Sequence, residues 1–270
     1  MGDPAEKQRP HILYSCYSKK STEGESFIPE HVFGYIFSGS SEISVGGKSY
    51  VFKEGDFRFF RRNQLSKYTK FPPPGGEYRS ISVSMDPDTL HAVSEEHKLQ
   101  VDRPYTGEAT LLLPSNPLFT NYIDSLTPYL DTARTVSKAL TDTKVKEAIL
   151  ILLETHPALK NILFDFSEPG KIDLEAYMNE HYRYNVELSR FAYLTGRSLA
   201  TFKRDFEKIY NMSPKRWLQQ RRLKEAYYLI REKGRKASEI YLDLGFEDLS
   251  HFSYAFKKVY GVAPSMVSPL

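Results

Sequence analysis

The stretch Leu199-Ala200-Thr201-Phe202-Lys203-Arg204-Asp205-Phe206-Glu207-Lys208-Ile209-Tyr210 is written a second time, in outline, as Leu249-Ser250-His251-Phe252-Ser253-Tyr254-Ala255-Phe256-Lys257-Lys258-Val259-Tyr260. Leu199, Phe202, Phe206 and Ile209 stand at i, i+3, i+7 and i+10, and Leu249, Phe252, Phe256 and Val259 repeat that spacing 50 residues later. Each set fits one stripe of an α-helix, because that spacing returns to the same face. The exits match too: Tyr210-Asn211-Met212-Ser213-Pro214 against Tyr260-Gly261-Val262-Ala263-Pro264. A repeat of this length indicates one supersecondary unit used twice.

Each striped helix has a start signal and a short helix in front of it. Ser198 and Asp248 can accept hydrogen bonds from the orphan N–H groups of a first turn. Upstream, Leu188, Phe191 and Leu194 make a short apolar face ending near Gly196, and Ala237, Ile240 and Leu244 make another ending near Gly245. Helix, tight glycine-containing turn and second helix is the helix-turn-helix plan. Between the two units, Ser213 reads as a cap and Pro214 as the opening of a long helix. It runs through Trp217, Leu218, Leu223, Ala226, Leu229 and Ile230 to near Glu232, and Gly234 ends it. Asp173 reads as the cap of an earlier helix carrying Leu174, Tyr177 and Met178.

Ile240 through Gly245-Phe246, then Asp248, Ser250, Phe252, Phe256-Lys257-Lys258, Gly261 and Pro264 resemble the signature of the AraC/XylS family of bacterial transcription regulators. The first copy resembles the same family through Ala192, Ser198, Phe202-Lys203-Arg204, Phe206, Ser213-Pro214, Trp217 and Arg222-Leu223. Ala226 and Leu229 fit its linking helix. The resemblance covers roughly residues 171–268, and one departure is Tyr241, where the family usually has Ala. It implies a cytoplasmic, sequence-specific DNA-binding regulator that contacts two successive major grooves of double-stranded DNA. It further implies a homodimer, a contact to RNA polymerase and a small-molecule or protein effector, with no cofactor, no catalytic residue and no membrane association.

In a helix-turn-helix the second helix enters the major groove, and its exposed side chains meet base edges. Removing the apolar stripe leaves Ala200, Thr201, Lys203, Arg204 and Glu207 outward in the first copy, and Ser250, His251, Ser253 and Tyr254 in the second. Lys203 and Arg204 can donate to guanine O6 and N7, while Ala200 or Thr201 can meet a thymine methyl. By motif position, the family's base-contacting places fall on Ala200, Lys203 and Arg204, then on Ser250, His251, Ser253 and Tyr254. Arg197, Lys208, Lys257 and Lys258 read as phosphate contacts.

Charge is distributed to match. Residues from Lys171 onward carry 18 Lys/Arg against 12 Asp/Glu, while residues 1–170 carry 19 against 22. The basic excess therefore lies on the doubled motif, as phosphate binding requires. The whole chain of 270 residues has a net charge of +3 and is 40% hydrophobic, which fits a globular protein of one large or two ordinary domains. The longest apolar run, Ala148 to Leu153, is too short to cross a bilayer. Met1 to Gln8 is polar and charged, unlike a signal peptide. Cys16 is the only cysteine, so neither an internal disulfide nor a cysteine zinc site is expected.

Residues 11–85 read as β structure. Expected strands are Ile12–Tyr17, Val32–Phe37, Glu42–Val45, Ser49–Phe52, Phe57–Phe60, Ser66–Lys70 and Tyr78–Val83, with a tight hairpin at Gly46-Gly47. This part resembles the cupin-like N-terminal domain common in the same family, through Gly39–Gly47 followed by Glu54-Gly55-Asp56. Cupin folds that act as metal enzymes use several convergent ligands, and here His31 is the only histidine between His11 and His91, so no metal is expected. Phe33, Tyr35 and Phe37 share one strand face and Arg58 and Phe60 another, so these five are candidates for an effector pocket. The alternative is that the aromatics only fill the barrel. Arg58, Arg61 and Arg62 offer either an anion site or a solvated edge, and the residues favour the edge.

Residues 86–165 turn helical. One helix opens at Pro87 with Leu90 and Val93, a second follows Pro117 with Leu118, Tyr122, Leu126 and Tyr129, and a third runs from Thr143 to Thr155. These helices either form a dimer contact or only cover the barrel. The expected class is α+β in two domains. Residues 1–166 form a cupin-like β-barrel with appended helices, 167–170 a linker, and 171–270 an all-α domain of two helix-turn-helix motifs joined by a long helix. The competing functional classes are a metal-dependent cupin enzyme with a DNA-binding tail, and an architectural DNA binder without sequence preference.

Overall fold

A computed structural model describes residues 11–129 and 136–268. Met1 to Gln8 lies outside the described residues. The described chain separates into two compact units, one made by residues 11–23 and 28–167, the other by 168–268 with 24–27.

The first unit holds β1 (Ile12–Tyr17), β2 (Ser21–Ile28), β3 (His31–Ser38), β4 (Ser40–Val45), β5 (Lys48–Lys53), β6 (Phe57–Phe60), β7 (Gln64–Phe71) and β8 (Tyr78–Met85). After them come α1 (Pro87–Glu96), β9 (Thr110–Leu113), α2 (Pro117–Ser125), α3 (Lys138–Thr155) and α4 (Lys160–Leu163). A five-stranded sheet has the order β1-β8-β3-β6-β9, and a four-stranded sheet the order β2-β7-β4-β5. Gly46-Gly47 joins β4 to β5, with Val45 opposite Lys48. Two strands carry little signal in the sequence. β2 begins with six residues that lack any apolar alternation, and β9 is only four residues long.

Period-two alternation sends the two faces of the five-stranded sheet into different cores. Ile36, Phe60 and Tyr78 meet Ile43, Val45 and Phe52 of the other sheet. Phe33, Phe57, Phe59, Ile81 and Val83 face the other way and pack under Phe119, Tyr122, Val145, Ile149 and Leu152. The helices differ in detail from expectation. α2 buries Phe119, Tyr122 and Ile123, and Leu126 just past its end is buried too, so the expected stripe faces inward except for Leu118, which is 43% exposed and yields its place to Phe119. α3 begins at Lys138 rather than Thr143, because Ser137 caps it by accepting from the Leu140 N–H.

The second unit is helical: α5 (Leu174–His181), α6 (Leu188–Leu194), α7 (Leu199–Tyr210), α8 (Pro214–Lys233), α9 (Ala237–Ile240) and α10 (Leu249–Tyr260). Asp173, Ser198 and Asp248 accept from the N–H groups of Ala176, Thr201 and His251 as expected. Ser213 precedes α8, but its side chain makes no capping bond. α9 is shorter than the apolar pattern to Leu244 suggests. Past Ile240 the chain closes with Gly245 N–H donating to Leu242 O and Phe246 N–H to Tyr241 O. This is the paired bonding of a helix end at a left-handed glycine.

α8 is shared by two cores. Its first half sets Trp217 edge-on to Phe206, with ring centres 5.5 Å apart, and against Tyr210. Its second half places Leu223, Ala226 and Ile230 among Ile240, Leu244, Phe246, Phe252 and Phe256. In both striped helices only the middle pair is fully covered. Phe202, Phe206, Phe252 and Phe256 are buried, whereas Leu199, Ile209, Leu249 and Val259 are 37–52% exposed.

Candidate nucleic-acid interface

Burying Phe202 and Phe206 turns the opposite side of α7 outward. Ala200, Lys203, Arg204, Glu207 and Lys208 are exposed, and Thr201 is half-buried. Thr201 is engaged locally, since its N–H and Oγ1 both meet Ser198 Oγ, at 3.2 and 3.0 Å. Arg204 has one long ion pair, 4.0 Å from Nε to Asp205 Oδ1. Its remaining donors can reach a ligand in a planar fork. On α10, Ser250, His251, Tyr254, Lys257 and Lys258 are exposed and Ser253 half-buried. Tyr254 is 69% exposed, a large ring with little cover.

Arg197 is placed differently from the sequence reading. Its side chain is only 8% exposed and pairs through Nε with Asp205 Oδ2 at 3.2 Å. Its Nη1 donates to Ile172 O and Thr195 O. It ties the turn before α7 to the chain ahead of α5, and so is a structural residue rather than a phosphate contact. The hydrogen bond from Arg197 holds the Asp205 carboxyl below the usual carboxylate range.

The five effector-pocket candidates are not brought together. Phe33, Tyr35 and Phe37 lie on the helix-covered face of their sheet, while Phe60 lies between the sheets. Arg58 lies there too, 4% exposed, donating to Ser41 Oγ at 2.8 Å and lying over the rings of Phe52 and Phe60. Gly34 stands opposite Arg58 in the ladder, and a Cβ there would come within 3.1 Å of its Nε. Arg58 is therefore neither an edge residue nor a partner of the other two arginines. Arg62 Nη2 donates to Asp165 O and Ser167 O, and Arg61 pairs with Asp165. His31 is also committed: Nδ1 accepts from the Arg62 N–H, the ring stacks on Phe59, and burial pushes its pKa down to about 3. Among the described residues no group of three or more His, Cys, Asp or Glu is placed to hold a metal.

One surface has no counterpart in the sequence reading. A groove of about 630 Å³ is lined by Lys215, Arg216, Gln219 and Arg222 of α8, by Asn185 to Leu188, and by Gly245 to Asp248 with His251. Lys215 and Arg216 are exposed in the first turn of α8, where the helix dipole disfavours cations. That mismatch is the signal the sequence offers, and apolar stripes alone do not register it.

Comparison with known proteins gives two family matches. The helix-turn-helix domain family matches residues 191–268, and the ExsA N-terminal regulatory domain family matches residues 31–162. The chain is similar to the thermoregulatory protein LcrF of Yersinia pestis, 24% identical over 240 residues, covering 85% of this chain and 86% of that one. It is also similar to the HTH-type transcriptional regulator ExsA of Pseudomonas aeruginosa, 28% identical over 124 residues and 45% of each chain. A crystal structure of an apo ToxT variant from Vibrio cholerae overlays loosely, with TM-score 0.46, 14% identity and coverage of 95% of this chain and 96% of that one. No described helix is long and apolar enough to cross a membrane.

Proposed function

Because the chain belongs to the AraC/XylS family of DNA-binding transcription regulators, we propose that it reads a specific sequence by placing α7 and α10 in two successive major grooves. The observation that carries this reading is that both helices hang on one beam, α8, with equivalent residues buried and equivalent positions outward. Twenty helical residues span about 30 Å, close to the ~34 Å between successive major grooves. Lys203 and Arg204 are the principal base readers, with Ala200 and Thr201 beside them. Ser250, His251, Ser253 and Tyr254 read the second groove with less charge. Lys208, Lys257 and Lys258 neutralise phosphates, and Lys215 and Arg216 join them.

The remaining assignments belong to the same proposal. Residues 171–270 form the DNA-binding domain after a linker at 167–170, and residues 1–166 form a cupin-like sensing or dimerising domain. The working form is a cytoplasmic homodimer that contacts RNA polymerase, answers to a small-molecule or protein effector, and has no catalytic role. The test uses the full-length chain. Duplexes are selected from random DNA, then footprinted and titrated against salt. Protection of two grooves one turn apart is the expected result, with affinity falling steeply as added salt weakens the gain from counterion release. Equal affinity for selected and unrelated duplexes would make the protein an architectural binder and end the sequence-specific reading.

A further inference from the structure

Where the two helix-turn-helix units meet, the contact is polar. Arg222 leaves the middle of α8 and is 9% exposed. Its Nε donates to Tyr182 O, its Nη2 to Tyr184 O and its Nη1 to Gly245 O, each at 2.8 Å. Tyr182 and Tyr184 precede α6, the first helix of the first unit. Gly245 is the turn glycine of the second. One planar guanidinium therefore bonds both units at once, along three directions fixed by its own geometry.

The contact leaves no room for slack. Gly245 has φ +80°, and a Cβ on it would come within 2.6 Å of Arg183 O and 2.9 Å of Arg222 Cζ. The turn of the second unit thus rests on the backbone ahead of α6, with the arginine locked between them. Asn185 Nδ2 donates to Glu247 Oε1 at 2.9 Å across the same seam. An apolar seam slides at small cost because its contacts lack direction. A seam of three buried hydrogen bonds to one planar guanidinium has one low-energy rotation, since any other breaks the three together.

We propose that Arg222 sets the half-site spacing this regulator accepts, by locking its two reading helices at one relative rotation. Arg222 is a positioning residue: it touches no base and acts through the placement of α7 and α10. One base pair added between half-sites moves the second groove by about 3.4 Å and about 35°. A locked pair of helices cannot follow that displacement, and a loosened pair can. The proposal rests on the two-groove reading, so the experiment must separate the two.

The experiment uses full-length protein and a duplex selected from random DNA by the wild type, with variants carrying one base pair more or fewer between half-sites, and a duplex with one half-site scrambled. Wild type should lose about tenfold or more on either shifted spacing, the scale of one misplaced base pair. Arg222→Lys keeps the charge but replaces the fork by a single point donor, and Arg222→Met removes all donors. Both should bind the one-half-site duplex as wild type does, while their preference for the native spacing falls below about threefold. A merely structural role would lower binding to every duplex alike. Folded variants that keep the wild-type spacing preference overturn the proposal, and so does a wild type indifferent to spacing. If neither variant folds by circular dichroism, Arg222 is a folding residue and the spacing proposal falls. A wild-type footprint confined to one groove would instead remove the two-groove reading beneath it.

Discussion

α7 and α10 are the same helix twice in one respect and two different helices in another. Phe202 and Phe206 match Phe252 and Phe256 in burial, and Leu199 matches Leu249 at 39% against 37% exposed. The outward residues do not match: α7 offers Lys203 and Arg204 where α10 offers Ser253 and Tyr254. The first helices differ as well, seven residues in α6 and four in α9. Packing constrains the inward set in both copies, because each unit must bury a stripe against α8. Nothing in packing constrains the outward set, so that is where the two units can specialise in reading DNA.

The sharpest way to break the comparison is to empty each core in turn. Phe206→Ala and Phe256→Ala should each cost about 3–5 kcal/mol of stability, since both rings are fully buried. Chemical denaturation of the full chain measures this. Phe206 also supports Trp217 at 5.5 Å, so its loss should loosen the first half of α8, visible as a shift in tryptophan emission that Phe256→Ala does not produce. Equal emission changes in the two variants would mean that α8 does not hold separate cores.

A smaller effect should separate the two outward faces. Arg204→Ala should cost about 1–3 kcal/mol of binding on the selected duplex and relax base choice at one position. Lys257→Ala should weaken selected and unrelated duplexes by the same factor and flatten the salt dependence. Tyr254→Ala should fall between them, losing apolar contact without a charge. Binding titrations on both kinds of duplex decide this. If Arg204→Ala loses the same factor on both, Arg204 is a phosphate contact and not a base reader.

The same division between inward and outward residues governs what the sequence reveals. The repeated stripe defines the second unit from the amino acids alone, because an apolar spacing that recurs with its caps and exits intact is the mark of a duplicated helix pair. The stripe does not reveal that its end positions go half-covered, since coverage depends on where neighbouring elements cross it in the fold. Arg197 reads as a phosphate contact because a sequence shows a charge without its partner, and Asp205 lies eight residues further on. In the first unit, alternation correctly puts Phe33, Tyr35 and Phe37 on one face. It cannot say which layer that face meets, since both layers are apolar. Arg58 shows the same gap, for a buried arginine between two sheets looks in sequence like a charged edge. β9 escapes because it is a four-residue edge strand in which Thr110 and Leu113 are buried and Leu112 is 60% exposed, too short and too irregular to show alternation.

The helix starts offer a comparison worth about a kilocalorie. Ser198 and Asp248 accept from the N–H groups of Thr201 and His251, whereas Ser213 ahead of α8 makes no such bond. Ser198→Ala and Asp248→Ala should each cost about 1 kcal/mol in thermal or chemical unfolding, and Ser213→Ala no more than a few tenths. A full-sized loss at Ser213 would show that its hydroxyl is engaged in solution.

The smallest effect concerns the last stripe positions, Ile209 and Val259. By spacing they belong to the apolar face, and a sequence reading puts them in the core. In the structure Ile209 is 43% and Val259 52% exposed, each on the final turn of its helix. A half-exposed aliphatic side chain gives up less on substitution than a buried one, because about half of its surface was in water before the change. Ile209→Gln and Val259→Gln should therefore change stability by no more than about 0.5 kcal/mol, as surface substitutions generally do. Glutamine is chosen because it suits a helix at least as well as the β-branched residue it replaces, which keeps helix propensity from masking the packing term. The measurement is the denaturation midpoint of the full chain, at two protein concentrations tenfold apart. A loss above about 1.5 kcal/mol at both concentrations would mean these ends are covered within one chain and the four-residue stripe is core throughout. A loss seen only at the higher concentration would mean that a second copy covers them, and would place a dimer contact on the DNA-binding unit itself.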